Sequence, residues 1–214
     1  MQRVARRRGL TFTLLSIITL AALTGCSALD QLVAGPTMTP PPPGGEPVEP
    51  PRPLADFTLL NQAGEPTRLS DLVGKPALFY FGYTHCPDIC PLTLAEMSQV
   101  ARILGESAQE VHFVFVSVDI RRDTPERLAS FLPQFNPAFI GLTASDEAAL
   151  HEATDTFGVY YELEDVPETQ AEYLVAHTAS TFLVDAEGQL RMIFAYRTPP
   201  QIIADQLLRL LTTS

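Results

Sequence analysis

The chain has 214 residues, 46% of them hydrophobic, which is enough for one domain of ordinary size together with additional segments. Its formal net charge of −11 argues against a nucleic acid as a partner, because an acidic surface repels phosphate groups. Of its three cysteines, one lies near the N-terminus and two, Cys86 and Cys90, lie close together within the folded part of the sequence.

The first 25 residues are predicted to be a secretory signal. Four arginines among the first eight residues precede an apolar stretch from Leu10 to Leu23, which is shorter than a full membrane span. The stretch runs into Leu23-Thr24-Gly25-Cys26, which resembles a bacterial lipobox, where the cysteine becomes the lipidated first residue. We therefore expect residues 1–25 to be a lipoprotein signal peptide and Cys26 to anchor the protein to the bacterial cell membrane, outside the cytoplasm. A plain signal peptide or an uncleaved anchor is the alternative.

Removal of the signal leaves 10 basic and 25 acidic residues, a net charge of −15, which suits cations or a basic protein surface. The stretch 34–53 is dominated by proline and glycine, with a run of four prolines at 40–43. Such a composition cannot build a core. Residues 26–53 are therefore predicted to be a semi-extended linker after the lipidated cysteine, and residues 54–214 to be the folded domain.

Strands and helices are predicted to alternate along that domain. The predicted strands are Asp56–Leu60, Thr67–Leu69, Ala77–Tyr83, Val111–Val118, Phe139–Leu142, Thr181–Val184 and Leu190–Ala195, and the predicted helices are Pro91–Leu104, Pro125–Phe135, Glu147–Phe157 and Pro200–Leu211. The first two strands should form an N-terminal hairpin and the last two a second hairpin. Glu162–Glu172 is predicted to be an acidic loop. This order predicts an α/β fold with a central mixed sheet flanked by helices.

The two central cysteines lie between a predicted buried strand and a predicted helix. If the helix begins at Pro91, Cys90 is at or beside its N-cap and Cys86 lies about one turn earlier. Unpaired N–H groups and the positive end of the helix dipole then favour thiolate over thiol. Two thiolates on a short, proline-stiffened loop are typical of a metal clamp or of a redox pair. A structural disulfide is less favoured, because closing so short a loop removes little unfolded-state entropy.

Three ordered motifs extend this pattern. They are Gly82-Tyr83-Thr84-His85-Cys86-Pro87-Asp88-Ile89-Cys90-Pro91, then Ser117-Val118-Asp119 with Arg122-Asp123-Thr124-Pro125-Glu126, then Tyr173-Leu174-Val175-Ala176-His177 before Phe182-Leu183-Val184-Asp185. Together they resemble the SCO/SenC family over roughly residues 54–213. Members of this family are thioredoxin-like, copper-binding proteins involved in assembling the copper centre of cytochrome c oxidase.

The resemblance implies a thioredoxin-like fold and a copper site formed by Cys86, Cys90 and His177. It also implies a metallochaperone whose partners are the oxidase subunit with the copper centre and a possible copper donor protein. The chain departs from the family pattern at Ala176, where the family often has an acidic residue, and at residues 120–121, where it often has proline and glutamate.

The residue types suit copper on their own merits. Thiolates are soft donors matched to Cu(I), and an imidazole added to two of them makes a three-coordinate site that also tolerates Cu(II). Structural zinc usually requires four ligands, whereas three leave a position through which metal can be transferred. Of the other candidates, His85 is predicted not to be a ligand, and His112 and His151 are predicted to be structural. Asp119 is predicted either to accept hydrogen bonds near the cysteine loop or to cap the end of its strand, and Asp123 to belong to the start of a helix.

The main alternative is a membrane-anchored, extracytoplasmic thiol-disulfide oxidoreductase that keeps the cysteines of an acceptor reduced. Redox sites of the thioredoxin type have two residues between the cysteines and a cis-proline loop facing them. This chain has three residues there, no tryptophan, and no proline between Pro167 and Pro199. The same cysteines could nevertheless reduce an acceptor before copper arrives, so whether the protein is an enzyme stays open. A metal-free interaction module would make the Cys, Cys and His pattern accidental.

Overall fold

The computed structural model describes residues 44–164 and 173–213. The predicted signal peptide, the lipidation site at Cys26 and most of the predicted linker lie outside these residues. The strands are β1 (Glu46–Pro53), β2 (Thr58–Asn61), β3 (Pro66–Arg68), β4 (Ala77–Gly82), β5 (His112–Ser117), β6 (Ile140–Thr143), β7 (Tyr161–Glu164), β8 (Leu174–His177), β9 (Thr181–Val184) and β10 (Gln189–Phe194). The helices are α1 (Ile89–Leu104), α2 (Pro125–Phe131), α3 (Glu147–Phe157) and α4 (Pro200–Thr213), with 3-10 turns at Leu69–Leu72, Gly105–Glu110 and Leu132–Gln134.

Eight strands form one mixed sheet in the order β1-β10-β9-β4-β5-β6-β2-β3. The pairs β4–β5 and β5–β6 are parallel, and the other pairs are antiparallel. Helix α1 packs beside α4, α2 contacts β6, and α3 contacts β2. The predicted mixed sheet with flanking helices is confirmed, as are the N-terminal hairpin β2–β3 and the hairpin β9–β10.

Strand β4 lies in the middle of the sheet and all six of its residues are buried. Neighbouring residues of a strand point to opposite faces. On one face, Phe79 and Phe81 pack on Phe157 of α3. On the other face, Tyr80 and Gly82 lie against the first turn of α1. The end of β4, where the cysteine loop begins, is therefore packed between two helices.

The predicted start of the folded domain at residue 54 is too late. Strand β1 pairs with β10 and includes Glu46–Pro53, so eight residues assigned to the linker belong to the sheet. Proline has no N–H to donate to a neighbouring strand, but an edge strand needs only one bonded side. A side-chain contact also holds the segment in place, since the Arg52 guanidinium donates a hydrogen bond to the Thr156 carbonyl at 2.6 Å.

The predicted acidic loop is partly a strand. Its first residues form β7, which pairs antiparallel with β8 in a separate two-stranded sheet. In the register of this pair, Tyr161 lies opposite His177 and Glu164 lies opposite Leu174. Residues 165–172, which join the two strands, lie outside the described residues. No helix in the described ranges is both long enough and apolar enough to cross a bilayer.

Candidate metal centre

The cysteine loop connects the C-terminal end of β4 to α1. The helix begins at Ile89, two residues before the predicted start, with Asp88 at the N-cap. Cys90 is thus inside the first turn, where the following proline is tolerated because the N–H groups of that turn have no helical partner. Cys90 is fully buried, whereas Cys86 is half-buried and reaches the surface.

A glycine permits the close approach of α1 to β4. A Cβ atom added to Gly82 would lie 3.0 Å from both Cys90 Sγ and Tyr80 Cε1, and 3.1 Å from Phe115 Cε2. These separations are shorter than ordinary van der Waals contact between heavy atoms. Gly82 therefore leaves the space that the Cys90 sulfur occupies against the strand.

The structure brings Cys86, Cys90 and His177 together. One potential ligand atom from each lies within 4.8 Å of the other two. Cys90 Sγ is 3.4 Å from His177 Nε2, and the backbone N–H of Cys90 donates to Cys86 Sγ at 3.4 Å. Two sulfurs and an imidazole nitrogen form a soft donor set of the kind that holds Cu(I). The role of these residues as ligands stays a prediction.

His177 is oriented by its surroundings. Its Nδ1 lies 3.1 Å from the carbonyl oxygen of Thr178, which can only accept, so Nδ1 carries the proton and Nε2 is left to coordinate. The rings of Tyr80 and Tyr83 meet the imidazole edge-on, with centroids 6.1 and 5.9 Å away. The Thr178 carbonyl thus orients the imidazole, although this chain has Ala176 where the family often has an acidic residue.

The two cysteines differ in charge in the metal-free protein. The pKa of Cys86 is well below that of an ordinary thiol, chiefly because the Cys90 side chain donates a hydrogen bond to it, and backbone N–H groups add to this against the opposing effect of burial. The pKa of Cys90 is raised by the same hydrogen bond and by burial. The pair is therefore a thiolate at Cys86 and a thiol at Cys90, so metal binding must displace the Cys90 proton.

Asp119 ties the histidine strand to the parallel sheet. The Tyr173 hydroxyl, at the start of β8, donates to Asp119 at 2.6 Å, and Arg122 Nε donates to the same carboxylate at 2.5 Å. Arg122 also donates to the Tyr173 carbonyl at 3.1 Å, and its guanidinium lies 3.6 Å from the centroid of the Tyr173 ring. Of the two roles predicted for Asp119, these contacts match the acceptance of hydrogen bonds near the site and not the capping of a strand. Sequence reasoning did not identify Tyr173 or Arg122, although both belong to the quoted motifs.

Asp123 fixes the other end of the loop. It is fully buried and accepts hydrogen bonds from the Thr84 backbone N–H at 2.8 Å, the Thr84 hydroxyl at 2.6 Å and the Ser117 hydroxyl at 2.7 Å. The predicted helix start is present, but its cap is Thr124, which accepts from the backbone N–H of Arg127. Asp123 instead holds the residue that lies two positions before the first cysteine.

A second group of potential ligands, His85 with Asp119 and Asp123, does not form an open site. The carboxylate oxygens of both aspartates already accept hydrogen bonds, and His85 Nδ1 lies 3.5 Å from one of them. The His85 side chain therefore lies against Asp123 and not against the cysteine sulfurs. His112 on β5 and His151 on α3 belong to no cluster of potential ligands within the described ranges.

The comparisons with known proteins agree on one family. The sequence matches SCO1/SenC over residues 46–212. A SCO2-like protein of Rickettsia felis is 36% identical over 152 residues, which are 71% of this chain and 74% of that protein.

Solved structures show the same fold. Bradyrhizobium japonicum ScoI with copper bound is 37% identical, with a TM-score of 0.67 over 74% of this chain and 99% of that one. A SCO1/SenC family lipoprotein from Bacillus anthracis is 28% identical, with a TM-score of 0.66 over 77% of this chain and 99% of that one. These similarities confirm the predicted thioredoxin-like α/β fold.

Proposed function

The chain belongs to the SCO1/SenC family, and from this membership we propose that it binds one copper ion through Cys86, Cys90 and His177 and passes it to the copper centre of cytochrome c oxidase. The observation that carries the proposal is the convergence of two sulfurs and one imidazole nitrogen within 4.8 Å. A relative with 37% identity has been solved with copper bound. The donor set suits Cu(I) and tolerates Cu(II).

The residues of the site support transfer better than storage. Three protein ligands leave a coordination position for a ligand from the donor or the acceptor. Cys86 is half-buried and already a thiolate, so it is the first sulfur that an incoming ion meets. Cys90 then loses its proton to solvent. The Nδ1–H group of His177 continues to donate its hydrogen bond to the Thr178 carbonyl, so Nε2 is the nitrogen that coordinates.

The experiment is a titration of the full chain, reduced and metal-free, with Cu(I) in the presence of a competing chelator. We expect one ion per chain. Loss of a residue that only orients a ligand typically weakens metal binding roughly 10- to 100-fold, and loss of a ligand itself should cost more, so His177→Ala should bind more than about 100-fold more weakly. His112→Ala is the matched control and should bind as the original protein does, because His112 pairs with Ala77 at the end of β4 that lies away from the cysteine loop. Equal binding by His177→Ala would remove that residue from the site.

The location and the partners are also proposed. We expect the protein outside the cytoplasm, held at the membrane by lipid on Cys26, and the related B. anthracis protein is itself described as a lipoprotein. Mass spectrometry of the membrane-extracted protein should find a lipid-bearing Cys26 as the first residue. The acidic mature chain suits a basic surface on the donor or on the oxidase subunit.

Thiol reduction is the second candidate, supported by the free and adjacent sulfurs of Cys86 and Cys90. In this reaction the Cys86 thiolate attacks a disulfide of the acceptor, one acceptor sulfur leaves, and a mixed disulfide forms. Cys90 then loses its proton and attacks Cys86, which yields the Cys86–Cys90 disulfide and a fully reduced acceptor. Rapid turnover of a model disulfide by the metal-free protein, together with the absence of copper binding, would favour this function over the first.

A further inference from the structure

The Tyr80 hydroxyl is a buried polar group without a hydrogen-bond partner among the described residues. Tyr80 lies on the central strand β4, is 0% exposed, and its hydroxyl makes no hydrogen bond with any described residue. Buried hydroxyl groups nearly always have a partner, and each exception needs an explanation. The explanation here concerns the neighbouring sulfur.

The Tyr80 ring and the Cys90 sulfur both adjoin Gly82. A Cβ atom built on Gly82 would be 3.0 Å from Cys90 Sγ and 3.0 Å from Tyr80 Cε1, the ring carbon adjacent to the one that bears the hydroxyl. The pKa of this hydroxyl is raised chiefly by burial, and the side chains that act on it are those of Cys90, Thr93 and Cys86. Thr93 already donates its own proton to the Ile89 carbonyl at 3.0 Å, so it offers the Tyr80 hydroxyl an acceptor at most.

We propose that the Tyr80 hydroxyl donates a hydrogen bond to the copper-bound sulfur of Cys90, and that this bond favours Cu(I) over Cu(II). A thiol sulfur is a weak acceptor, whereas an anionic sulfur is a strong one. This inference rests on the proposed copper site.

The preference for Cu(I) follows from the charge on sulfur. A hydrogen bond to a metal-bound thiolate withdraws electron density from the sulfur, and hydrogen bonds to sulfur are among the factors that set the potentials of metal–thiolate centres. The bond is strongest where the sulfur is most negative, which is in the Cu(I) form. Each sulfur would then have one donor, the backbone N–H of Cys90 for Cys86 and the Tyr80 hydroxyl for Cys90.

The position of the ring links this bond to the third ligand. The Tyr80 ring meets the His177 imidazole edge-on, with centroids 6.1 Å apart and planes at 67°. Tyr80 thus contacts two of the three proposed ligands from inside the sheet, where water does not compete for the hydroxyl proton. It is a positioning residue and not a ligand, because a neutral phenol acts here only through the sulfur.

The test compares Tyr80→Phe with the original protein as full chains. Dissociation constants for Cu(I) and for Cu(II) are measured by chelator competition. We expect Cu(I) to bind roughly tenfold more weakly in the variant, as for loss of one hydrogen bond to a charged group, and Cu(II) to change little. The potential of the bound copper should then fall by about 59 mV, the equivalent of a tenfold ratio for one electron. Tyr160→Phe, which removes an exposed hydroxyl that bonds Glu162, is the control and should change neither constant.

A measurement on the original protein does not depend on folding of the variant. Cu(I) is diamagnetic, so the Tyr80 hydroxyl proton can be followed by NMR, and it should move downfield when Cu(I) is added. An unmoved proton, or an unchanged ratio of the two affinities in a folded Tyr80→Phe, would overturn this inference alone. Failure of the original protein to bind copper would overturn the proposed function together with it.

Discussion

The Tyr173 hydroxyl donates a 2.6 Å hydrogen bond to the buried carboxylate of Asp119, across 54 positions of sequence. Tyr173 directly precedes β8 and Asp119 is the second residue after β5, so the bond joins the histidine-bearing hairpin to the parallel part of the sheet. Strand β8 pairs only with β7 among the described strands. The position of His177 relative to the cysteines therefore depends on this contact and on the adjoining bonds of Arg122.

Replacing Tyr173 by phenylalanine should weaken copper binding about tenfold, the lower end of what second-shell changes cost in metal affinity. The ring would still stack on Arg122, so the loss isolates the hydrogen bond. The free energy of unfolding should fall by about 1.5–3 kcal/mol, the usual contribution of a hydrogen bond to a charged group. Cu(I) competition and urea unfolding measure the two effects, with Tyr160→Phe as the control. A stability loss with unchanged affinity would show that the bond serves folding alone.

Replacing Gly82 by alanine should damage both the fold and the site. The new Cβ would lie 3.0 Å from Cys90 Sγ and 3.1 Å from Phe115 Cε2, so either the sulfur or the sheet must shift. Overpacking of this kind costs about 1–3 kcal/mol, and the displaced sulfur should also lower copper affinity. Gly44→Ala is the matched control, since none of the described residues beyond its chain neighbours comes within 4 Å of its added Cβ. An affinity equal to that of the original protein would mean that the loop adjusts without moving Cys90.

The local part of the site follows from the sequence. An unbroken apolar run predicts the buried strand β4, helical spacing predicts α1, and the two cysteines between them are placed at the correct junction to within two residues. Both elements depend on short-range periodicity, which a single sequence carries. Even the proline after Cys90 is informative, although it occupies the third helical position and not the first.

The distant part of the site does not follow in the same way. His177 was implicated by family resemblance, and no periodicity marks β7 and β8, which have four residues each and include two glutamates. Tyr173, the partner of Asp119, directly precedes β8, so its role could not be predicted from periodicity either. Tyr80 lies in an apolar run that predicts a buried strand, and nothing in that run indicates a role for its hydroxyl. Strand β1 could not be predicted because its proline-rich composition is typical of a linker, although such a segment can pair at the edge of a sheet.

The reactivity of Cys86 should depend little on pH. Its pKa is lowered to about 3, so in the folded, reduced protein it remains a thiolate well below neutral pH. Alkylation by iodoacetamide should label Cys86 at nearly constant rate from about pH 5 to pH 8, whereas an ordinary thiol slows about tenfold for each pH unit. Cys90, whose pKa is raised, should remain unlabelled. Mass spectrometry of peptides after timed quenching distinguishes the two.

The control for this prediction is Cys90→Ala, which removes the principal hydrogen-bond donor to Cys86. Its Cys86 should recover an ordinary dependence of rate on pH. The lowered pKa also stabilises the fold. This contribution is complete above the unfolded-state pKa of about 9 and is lost as the pH falls towards about 3, so the reduced protein should lose stability in acid more steeply than Cys86→Ser does. Parallel acid transitions for the two proteins would contradict the assigned thiolate.

Replacing Asp123 by asparagine should loosen the loop that precedes Cys86. The carboxylate accepts three hydrogen bonds, two of them on Oδ2, which the amide replaces in part by an N–H₂ group that faces other donors. Each hydrogen bond to a charged group contributes about 1.5–3 kcal/mol, so we expect a loss of at least about 2 kcal/mol in the free energy of unfolding. Copper affinity should fall as well, because Thr84 lies two residues from the first sulfur.

Asp146→Asn is the matched control for this prediction. Asp146 caps α3 by accepting a hydrogen bond from the backbone N–H of Ala149, and asparagine caps helices equally well. A stability loss of the same size in both variants would show that the effect at Asp123 is not specific to the loop.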